Sequence, residues 1–323
     1  MPIVSISLTK DFLKEMDELQ SSEGFSGRSE LIRAGIRSLI NQKSDRENLV
    51  GAMQCILLIT HEEGEEHSVT DIKHEFDKIT NPKNLHKNRQ YFYDTILSYR
   101  NTFLNKKNGK YLSKYVENRN CPVCNSKKKD KIFDNEGSIF VVCKLCQMGY
   151  LDPVFKDKYL FDYYTNSPDI QANAHEKEKK FYNSIYSSGL EMIKKKKKFG
   201  KLLDLGCSGG FFLDLAKKQK WKTHGIEINK NEYLIASKKN HIVWNKEISK
   251  LNIKEKFDVV TLWDVFEHIK DPHKVLKEIK KKLVKNGLIF MQIPSSDSIA
   301  AKILREKCKM FDPIEHVNLY NLN

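Results

Sequence analysis

The chain has no long apolar run, and this absence limits where the protein can act. No segment approaches the roughly 20 consecutive apolar residues that cross a bilayer, and residues 1–10 lack the basic and apolar blocks of a secretory signal. We therefore expect a cytoplasmic protein with no membrane partner. With 323 residues, 40% of them hydrophobic, the chain exceeds the usual roughly 100–200 residues of one domain, so several domains are expected.

Seven cysteines in a chain of this length do not suggest a disulfide framework. Four of them form two C-x-x-C pairs, Cys121 with Cys124 and Cys143 with Cys146. Each such knuckle turns two thiolates toward one point, and two knuckles complete a tetrahedral four-sulfur site that suits zinc. Because four thiolates leave no open position, we predict a structural zinc ion in a ribbon over 121–150, whose central hairpin carries the second pair.

A complete G-x-G-x-x-G motif is also missing from the chain, which excludes the usual cradle for a dinucleotide pyrophosphate. In its place KLLDLGCSGG, residues 201–210, reads as an apolar strand containing Asp204, then a turn of small residues before a helix. Glu227 closes the next strand, where a carboxylate can accept both hydroxyls of a ribose. The pattern predicts half of a nucleotide-binding α/β sheet, with a nucleoside of little negative charge as ligand.

Residues 201–227, with FDVVTLWDVFEHIKDP (257–272) and NGLIFMQIP (286–294), resemble the class I S-adenosylmethionine-dependent methyltransferases. The resemblance implies an α/β fold with a Rossmann-like, doubly wound sheet. Ser208 stands where the family most often has a glycine. Glycines alone would fit any strand-to-helix turn, but Glu227 and the later strands favour the cofactor. The resemblance implies these cofactor contacts: Asp204, Gly206, Ser208, Gly210, Glu227 and Asp264.

Residues 151–200 resemble the helical connector that joins a zinc ribbon to the catalytic domain in one subgroup of this family, which often modifies sugars or other small metabolites. This implies a small-molecule methyl acceptor for a methyltransferase domain over 201–323. The family usually has seven strands, whereas only five are recognisable in this chain. We therefore expect a C-terminally incomplete domain with a bare sheet edge at 287–293, and activity could be lost even where cofactor binding survives.

Methyl transfer is an in-line displacement, so positioning supplies much of the rate, and a hydroxyl or amine acceptor also benefits from a base. His268 follows the fourth strand, at the carboxyl edge where ligands bind such sheets, and is the first candidate. His316, in FDPIEHVNLY, is the second, because it resembles a histidine that the subgroup places near its acceptor. Either histidine could instead organise its loop through hydrogen bonds.

Residues 1–45 combine an alternating strand with two short amphipathic helices, a unit too small to bury a core alone. They resemble the ribbon-helix-helix repressors of the MetJ/Arc type, obligate dimers whose two-stranded ribbon enters the major groove. The resemblance implies a homodimer that contacts double-stranded DNA, which the net charge of +14 favours. Dimerisation without DNA reading is the alternative. The implied DNA contacts are Ile3, Ser5, Ser7, Arg28 and Ser29.

Residues 46–88 resemble the beginning of the metal-sensing α/β domain of nickel-responsive regulators. His74 and His86 fall near two of its four nickel ligands, but Asn88 replaces another, and no cysteine lies in residues 89–120. A square-planar four-ligand site cannot be assembled from these residues, so we predict no nickel. Aromatic residues at helical intervals, followed by basic ones, predict that 89–120 form a helix and a linker.

Two functions are compatible with this organisation. One is a methyltransferase that uses S-adenosylmethionine on a small molecule and carries a dimerising, DNA-binding module. The other is a DNA-binding regulator of the nickel-responsive type, in which a non-catalytic methyltransferase-like domain senses the cofactor.

Overall fold

The computed structural model describes residues 17–18, 94, 97–135, 137–166, 170–296, 301, 306, 308 and 310–321. Within the predicted ribbon-helix-helix unit, only Asp17 and Glu18 are described, and they are helical. The prediction for 46–88, including the absence of nickel, lies outside the described residues. So do the implied DNA contacts: Ile3, Ser5, Ser7, Arg28 and Ser29.

Antiparallel strands come first in the described chain. They are β1 (Val116–Glu117), β2 (Lys129–Asn135), β3 (Ser138–Cys143), β4 (Gly149–Leu151) and β5 (Val154–Phe155). β2 and β3 form the hairpin predicted between the two cysteine pairs. Gly137 turns this hairpin at a φ of 93°, a conformation that glycine adopts without strain.

Three helices follow, and then strands and helices alternate. The helices are α1 (Asp157–Asn166), α2 (Ile170–Lys177) and α3 (Lys179–Lys194). The alternating elements are β6 (Lys201–Leu205), α4 (Phe211–Lys218), β7 (Lys222–Ile226), α5 (Lys230–Ser237), β8 (Ile242–Trp244), β9 (Phe257–Trp263), α6 (Pro272–Lys282) and β10 (Leu283–Gln292), and β11 (Asn318–Leu319) comes last. Single 3₁₀ turns lie at Ile248–Lys250 and Phe266–His268.

The alternating part forms a parallel sheet of five strands in the order β10-β9-β6-β7-β8. From β6 the chain moves outward to β7 and β8, then returns to the other side of β6 with β9 and β10. The direction of winding therefore reverses between β6 and β9. In open α/β sheets, the crevice at the carboxyl ends of the strands beside such a reversal is where ligands bind.

Helices cover both faces of this sheet, because successive strand residues point to opposite sides. Leu202 packs into the core beneath α3 and α4, and its neighbour Leu203 packs into the core that contains Ile279 of α6. Gly189 lets α3 lie directly on the sheet, since a Cβ at this position would stand 2.2 Å from Trp263 Cη2. The mixed α/β fold with a parallel central sheet agrees with the prediction.

Residues 97–117 differ from the predicted helix and linker. Residues 97–100 are helical, but Phe103 and Val116 are buried and pack in one core with Leu151 and Phe155. β1 pairs antiparallel with β5. The segment packs against the rest of the protein because burying its aromatic side chains removes apolar surface from water. The basic residues around these side chains had favoured an exposed linker.

The last described strand does not extend the parallel sheet. β11 pairs antiparallel with β4, giving a four-stranded sheet in the order β11-β4-β3-β2. In the described part of the chain, β10 is an edge strand of the parallel sheet. The C-terminal segment therefore connects the parallel sheet, which ends with β10, to the four-stranded sheet that carries the cysteines. None of the described helices has both the length and the apolar character needed to cross a bilayer.

Candidate functional site

The four cysteines of the two C-x-x-C pairs meet at one point. Cys121 Sγ lies 3.5 Å from Cys146 Sγ, and Cys124 Sγ lies 3.5 Å from Cys143 Sγ. All four sulfurs are within 4.8 Å of one another, and none is in a disulfide. Zn–S bonds of about 2.3 Å would place the sulfurs of a tetrahedron about 3.8 Å apart, so this donor set fits zinc.

The two pairs have the same local conformation. Cys121 N–H donates to Ser126 O and its carbonyl accepts from Asn125 N–H, at 2.9 Å in each case. Cys143 makes the same two bonds: its N–H donates to Met148 O at 2.9 Å, and its carbonyl accepts from Gln147 N–H at 3.0 Å. Asn125 and Gln147 have φ values of 58° and 59°, so each pair turns back through one left-handed residue. These are two equivalent knuckles.

Arg119 joins this ribbon to the rest of the protein. Its guanidinium donates to Leu151 O at 2.9 Å and to Lys270 O at 3.3 Å. It also donates to Val317 O and, at 3.1 Å, to Asn318 Oδ1. One side chain thus contacts the ribbon, the loop after β9 and the C-terminal segment.

The carboxyl edge of the parallel sheet opens into a cleft of about 890 Å³. Residues at or just beyond the ends of four strands line it, and so does the first cysteine knuckle, Cys121–Asn125. This volume falls within the roughly 300–1,000 Å³ of small-molecule and cofactor sites. The strand-end residues that line it are Leu205, Gly206, Ile226, Ile228, Glu247, Ile248 and Val265.

Glu227 lies at the end of β7 and faces the glycine turn. Its Oε2 accepts from Ser208 N–H and its Oε1 from Asn229 N–H, both at 2.8 Å. Burial raises the pKa of this carboxyl to about 7, and the two backbone donors oppose that shift. Its neighbours Ile226 and Ile228 line the cleft, whereas Glu227 itself braces the turn beside it.

Asp204 is buried below the turn, where Thr261 Oγ1 donates to its Oδ1 at 2.6 Å. Burial raises its pKa to about 8. Gly206 and Gly210 have φ values of 77° and 79°, which a residue with a Cβ adopts only under strain. Of these three predicted cofactor residues, Gly206 lines the cleft, whereas Asp204 is buried beneath the turn.

Ser208 has a φ of 47°, which explains why a glycine suits this position in the family. Its hydroxyl donates to Glu232 Oε2 at 2.5 Å, and Glu232 Oε1 accepts from Ala172 N–H at 2.9 Å. Its Oγ is also 3.5 Å from His175 Nδ1. The Ser208 hydroxyl, which glycine would lack, therefore connects the turn to α2 through the Glu232 carboxylate.

The predicted catalytic histidines are brought together. The ring centroids of His268 and His316 are 4.9 Å apart, with the rings at 78° to each other. Glu267 lies beside them, its Oε1 3.8 Å from His268 Nε2. Burial raises the pKa of Glu267 well above its usual range and lowers that of His268 well below its usual range. Asp264 accepts from Gln292 Nε2 at 2.8 Å.

Tyr164 of α1 connects this cluster to the end of β7. Its hydroxyl lies 3.1 Å from His268 Nδ1, and its carbonyl accepts from Asn229 Nδ2 at 3.0 Å. Asn229 N–H in turn donates to Glu227. A chain of direct contacts therefore runs from the predicted ribose acid to the predicted base.

Several residues of the site had no signal in the sequence. Arg119 and Tyr164 lie in segments without a motif, and only tertiary contacts reveal them. Thr261 could have been found, because it lies in register with Asp204 on the neighbouring strand. Glu232 and His175 meet Ser208 only because α2 and α5 pack on the turn.

Residues 172–323 match the family model described as Methyltransferase domain. The Ubiquinone biosynthesis O-methyltransferase of Pelagibacter ubique (strain HTCC1062) is 33% identical over 97 residues, 28% of this chain and 40% of that protein. The Putative nickel-responsive regulator of Methanothrix thermoacetophila (strain DSM 6194 / JCM 14653 / NBRC 101360 / PT) is 36% identical over 81 residues, 24% of this chain and 58% of that protein.

The chain thus spans between 40% and 58% of the length of these two curated relatives. Among solved structures, the plantazolicin methyltransferase BpumL in complex with SAH aligns with a TM-score of 0.41 at 20% identity, covering 50% of this chain and 68% of that one. By the family model and the curated O-methyltransferase, residues 172–323 are similar to methyltransferase domains.

Proposed function

We propose that the protein transfers a methyl group from S-adenosylmethionine to a small molecule. One observation carries this function: residues at the ends of β6, β7, β8 and β9 line a single cleft, at the point where the sheet reverses its winding. The matched family and the curated O-methyltransferases support it. They favour an enzyme over a regulator with a non-catalytic domain.

The cofactor supplies a methyl group on a positively charged sulfur when it is bound. Gly206 offers bare backbone at the cleft, and Asp204 with Glu227 hold the turn from below and beside it. In its ionised form Glu227 can accept ribose hydroxyls in addition to its two backbone donors, since a carboxylate has about four lone-pair sites. Ser208, Gly210 and Asp264 complete the proposed cofactor set.

The acceptor side needs a group that takes a proton. A hydroxyl or amine loses its proton as the new bond to carbon forms, while the electron pair of the broken carbon–sulfur bond stays on sulfur. Burial lowers the pKa of His268 well below its usual range, which favours the neutral ring that a base requires. His316 and Glu267 lie against it and can orient the ring. We propose His268 as the base and His316 as its neighbour on the acceptor side.

The cysteine cluster would hold a structural zinc ion, because four thiolates leave no position for substrate. Its first knuckle forms one wall of the cleft. Zinc would therefore shape one wall of the cleft and take no part in the methyl transfer.

Calorimetry with S-adenosylmethionine tests the function directly. We expect wild type to bind and Glu227→Gln to bind roughly 10–100-fold more weakly, since a hydrogen bond to a charged group contributes about 1.5–3 kcal/mol. Because the pKa of Glu227 is raised to about 7, its ionised fraction grows as pH rises from 6 to 8. Wild-type affinity should rise over that range, and the affinity of the variant should not.

Glu278→Gln is the matched control, since Glu278 is a carboxylate that lines the cleft from α6, away from the strand ends and from Glu227. It should bind like wild type. No heat from wild type at any pH would remove the proposed function.

For residues 1–45 we propose a dimerising module that contacts double-stranded DNA, which the similarity to the nickel-responsive regulator favours. A gel shift against mixed-sequence DNA should show binding that weakens steeply between 50 and 200 mM salt, as phosphate-led binding does. Arg28→Ala should reduce the shift. Absence of binding even at low salt would leave this module as a dimer contact alone.

A further inference from the structure

We propose that Glu267, His268 and His316 bind a divalent transition-metal ion, as a second metal site separate from the four cysteines. Its role at the acceptor rests on the proposed methyl transfer, but its existence does not. The site joins two distant parts of the chain: the 3₁₀ turn after β9 and the C-terminal segment that leads into β11.

The ligand atoms are already close. One atom from each of the three side chains lies within 4.8 Å of the other two, and Glu267 Oε1 is 3.8 Å from His268 Nε2. Ligands bound at about 2.0–2.2 Å lie roughly 3.0–3.6 Å apart. Small side-chain rotations therefore suffice to close the three groups around one ion.

Glu267 supplies an independent reason for a cation. The residue is 2% exposed, and neither carboxylate oxygen has a hydrogen-bond partner among the described residues. A buried polar group left in this state costs about 1–3 kcal/mol, and more when it is charged. Its carboxylate faces two imidazoles, which in neutral form cannot neutralise it. A bound cation would satisfy both oxygens and favour the ionised carboxylate.

The outer contact of His316 leaves its Nε2 for a metal. His316 Nδ1 lies 2.6 Å from Met310 O, and a carbonyl can only accept, so Nδ1 carries the proton and Nε2 has a lone pair. His268 Nδ1 is engaged at 3.1 Å by the Tyr164 hydroxyl. Metal-binding histidines typically use the second ring nitrogen for such a bond, which fixes the tautomer and the ring.

The donor set indicates the class of ion. Two imidazoles with one carboxylate suit zinc, iron(II) and manganese(II) better than calcium or magnesium, and three ligands leave positions open. An ion there would lower the pKa of an acceptor hydroxyl that bound to it, and His268 would then act as a ligand in place of a base.

Metal counting on the full chain tests the site. Purified protein is stripped with a chelator, reloaded with Zn²⁺ or Co²⁺, desalted and measured by mass spectrometry. We expect His316→Ala and Glu267→Gln each to hold one ion fewer per chain than wild type. In the cobalt-loaded protein, the thiolate charge-transfer bands of the four-cysteine site should be unchanged, which shows that the ribbon is intact.

His273→Ala is the matched control: this histidine lies outside the cluster of Glu267, His268 and His316 and contacts Val123 O of the first cysteine knuckle, so it should retain both the wild-type ion count and the wild-type thiolate bands. Equal counts in wild type and in both folded variants, as judged by their melting curves, would overturn the second site. Because His316→Ala changes only a half-buried side chain, it keeps the test valid if Glu267→Gln fails to fold. Calorimetry with S-adenosylmethionine on the same samples separates this outcome from failure of the proposed function.

Discussion

Replacing Gly206 with alanine is expected to weaken S-adenosylmethionine binding at least tenfold and to lower the free energy of unfolding by about 2–5 kcal/mol. The residue has a φ of 77°, which costs a side-chain-bearing residue roughly 1–2 kcal/mol. A Cβ would also stand 2.6 Å from Val265 Cγ2, and overpacking typically costs a further 1–3 kcal/mol. Both residues line the cleft, so relief of the clash must alter its wall. Calorimetry and urea unfolding measure the two effects.

Gly109→Ala is a close control. Its φ of 64° imposes the same kind of conformational cost, but no atom of the described residues lies within 4 Å of the added Cβ. It should lose about 1–2 kcal/mol of stability and no affinity for the cofactor. If Gly206→Ala behaves like Gly109→Ala in both measurements, the turn is not part of the cofactor site.

Replacing Cys143 with serine is expected to loosen the ribbon while the parallel sheet remains folded. A structural zinc ion contributes about 10–16 kcal/mol of binding free energy in small zinc-dependent units, and the variant loses one of four thiolates. We expect amide exchange in β2, β3, β4 and β11 to accelerate at least about 100-fold, equivalent to about 2.8 kcal/mol of local stability. Exchange in β6 should stay near wild type.

The control for this variant is Cys207→Ser. Cys207 is also a buried free thiol, but it packs in the core beneath α3 and α4, whereas Phe140 of β3 and Leu151 of β4 belong to another core. It should leave the exchange of β3 and β4 unchanged. Equal protection of the ribbon in Cys143→Ser and wild type would show that metal binding does not stabilise it. A zinc chelator added to wild type should reproduce the Cys143→Ser pattern, with residues 121–150 affected first.

The parallel sheet could be predicted because its information is local. KLLDL, the small-residue turn and Glu227 lie within residues 201–227, and each strand and turn is specified by its own residues. The cysteine hairpin was predictable for the same reason, since C-x-x-C spacing and an intervening turn are short-range patterns. The sequence predicted a helix and a linker for residues 89–120, and it did not predict the burial of Phe103 and Val116. That burial depends on partners far along the chain.

The C-terminal segment was the least predictable part. Sequence patterns indicate a sheet with an exposed edge near 287–293, and β10 is an edge strand in the described residues. They do not indicate that β11 pairs with β4, because two-residue strands carry almost no periodicity. No sequence pattern indicates the role of Arg119, which donates to carbonyls of three separate segments.

The sequence alone determined which chemical groups are present and which short motifs hold them: two thiolate pairs, a bare glycine turn, an acid at a strand end and two histidines. Tertiary structure decided which of them meet. His268 and His316 lie 4.9 Å apart, ring to ring, because β11 returns to the ribbon and carries His316 with it. Local residue choice specifies strands, turns and knuckles, whereas contact between distant segments depends on the packing of the whole chain.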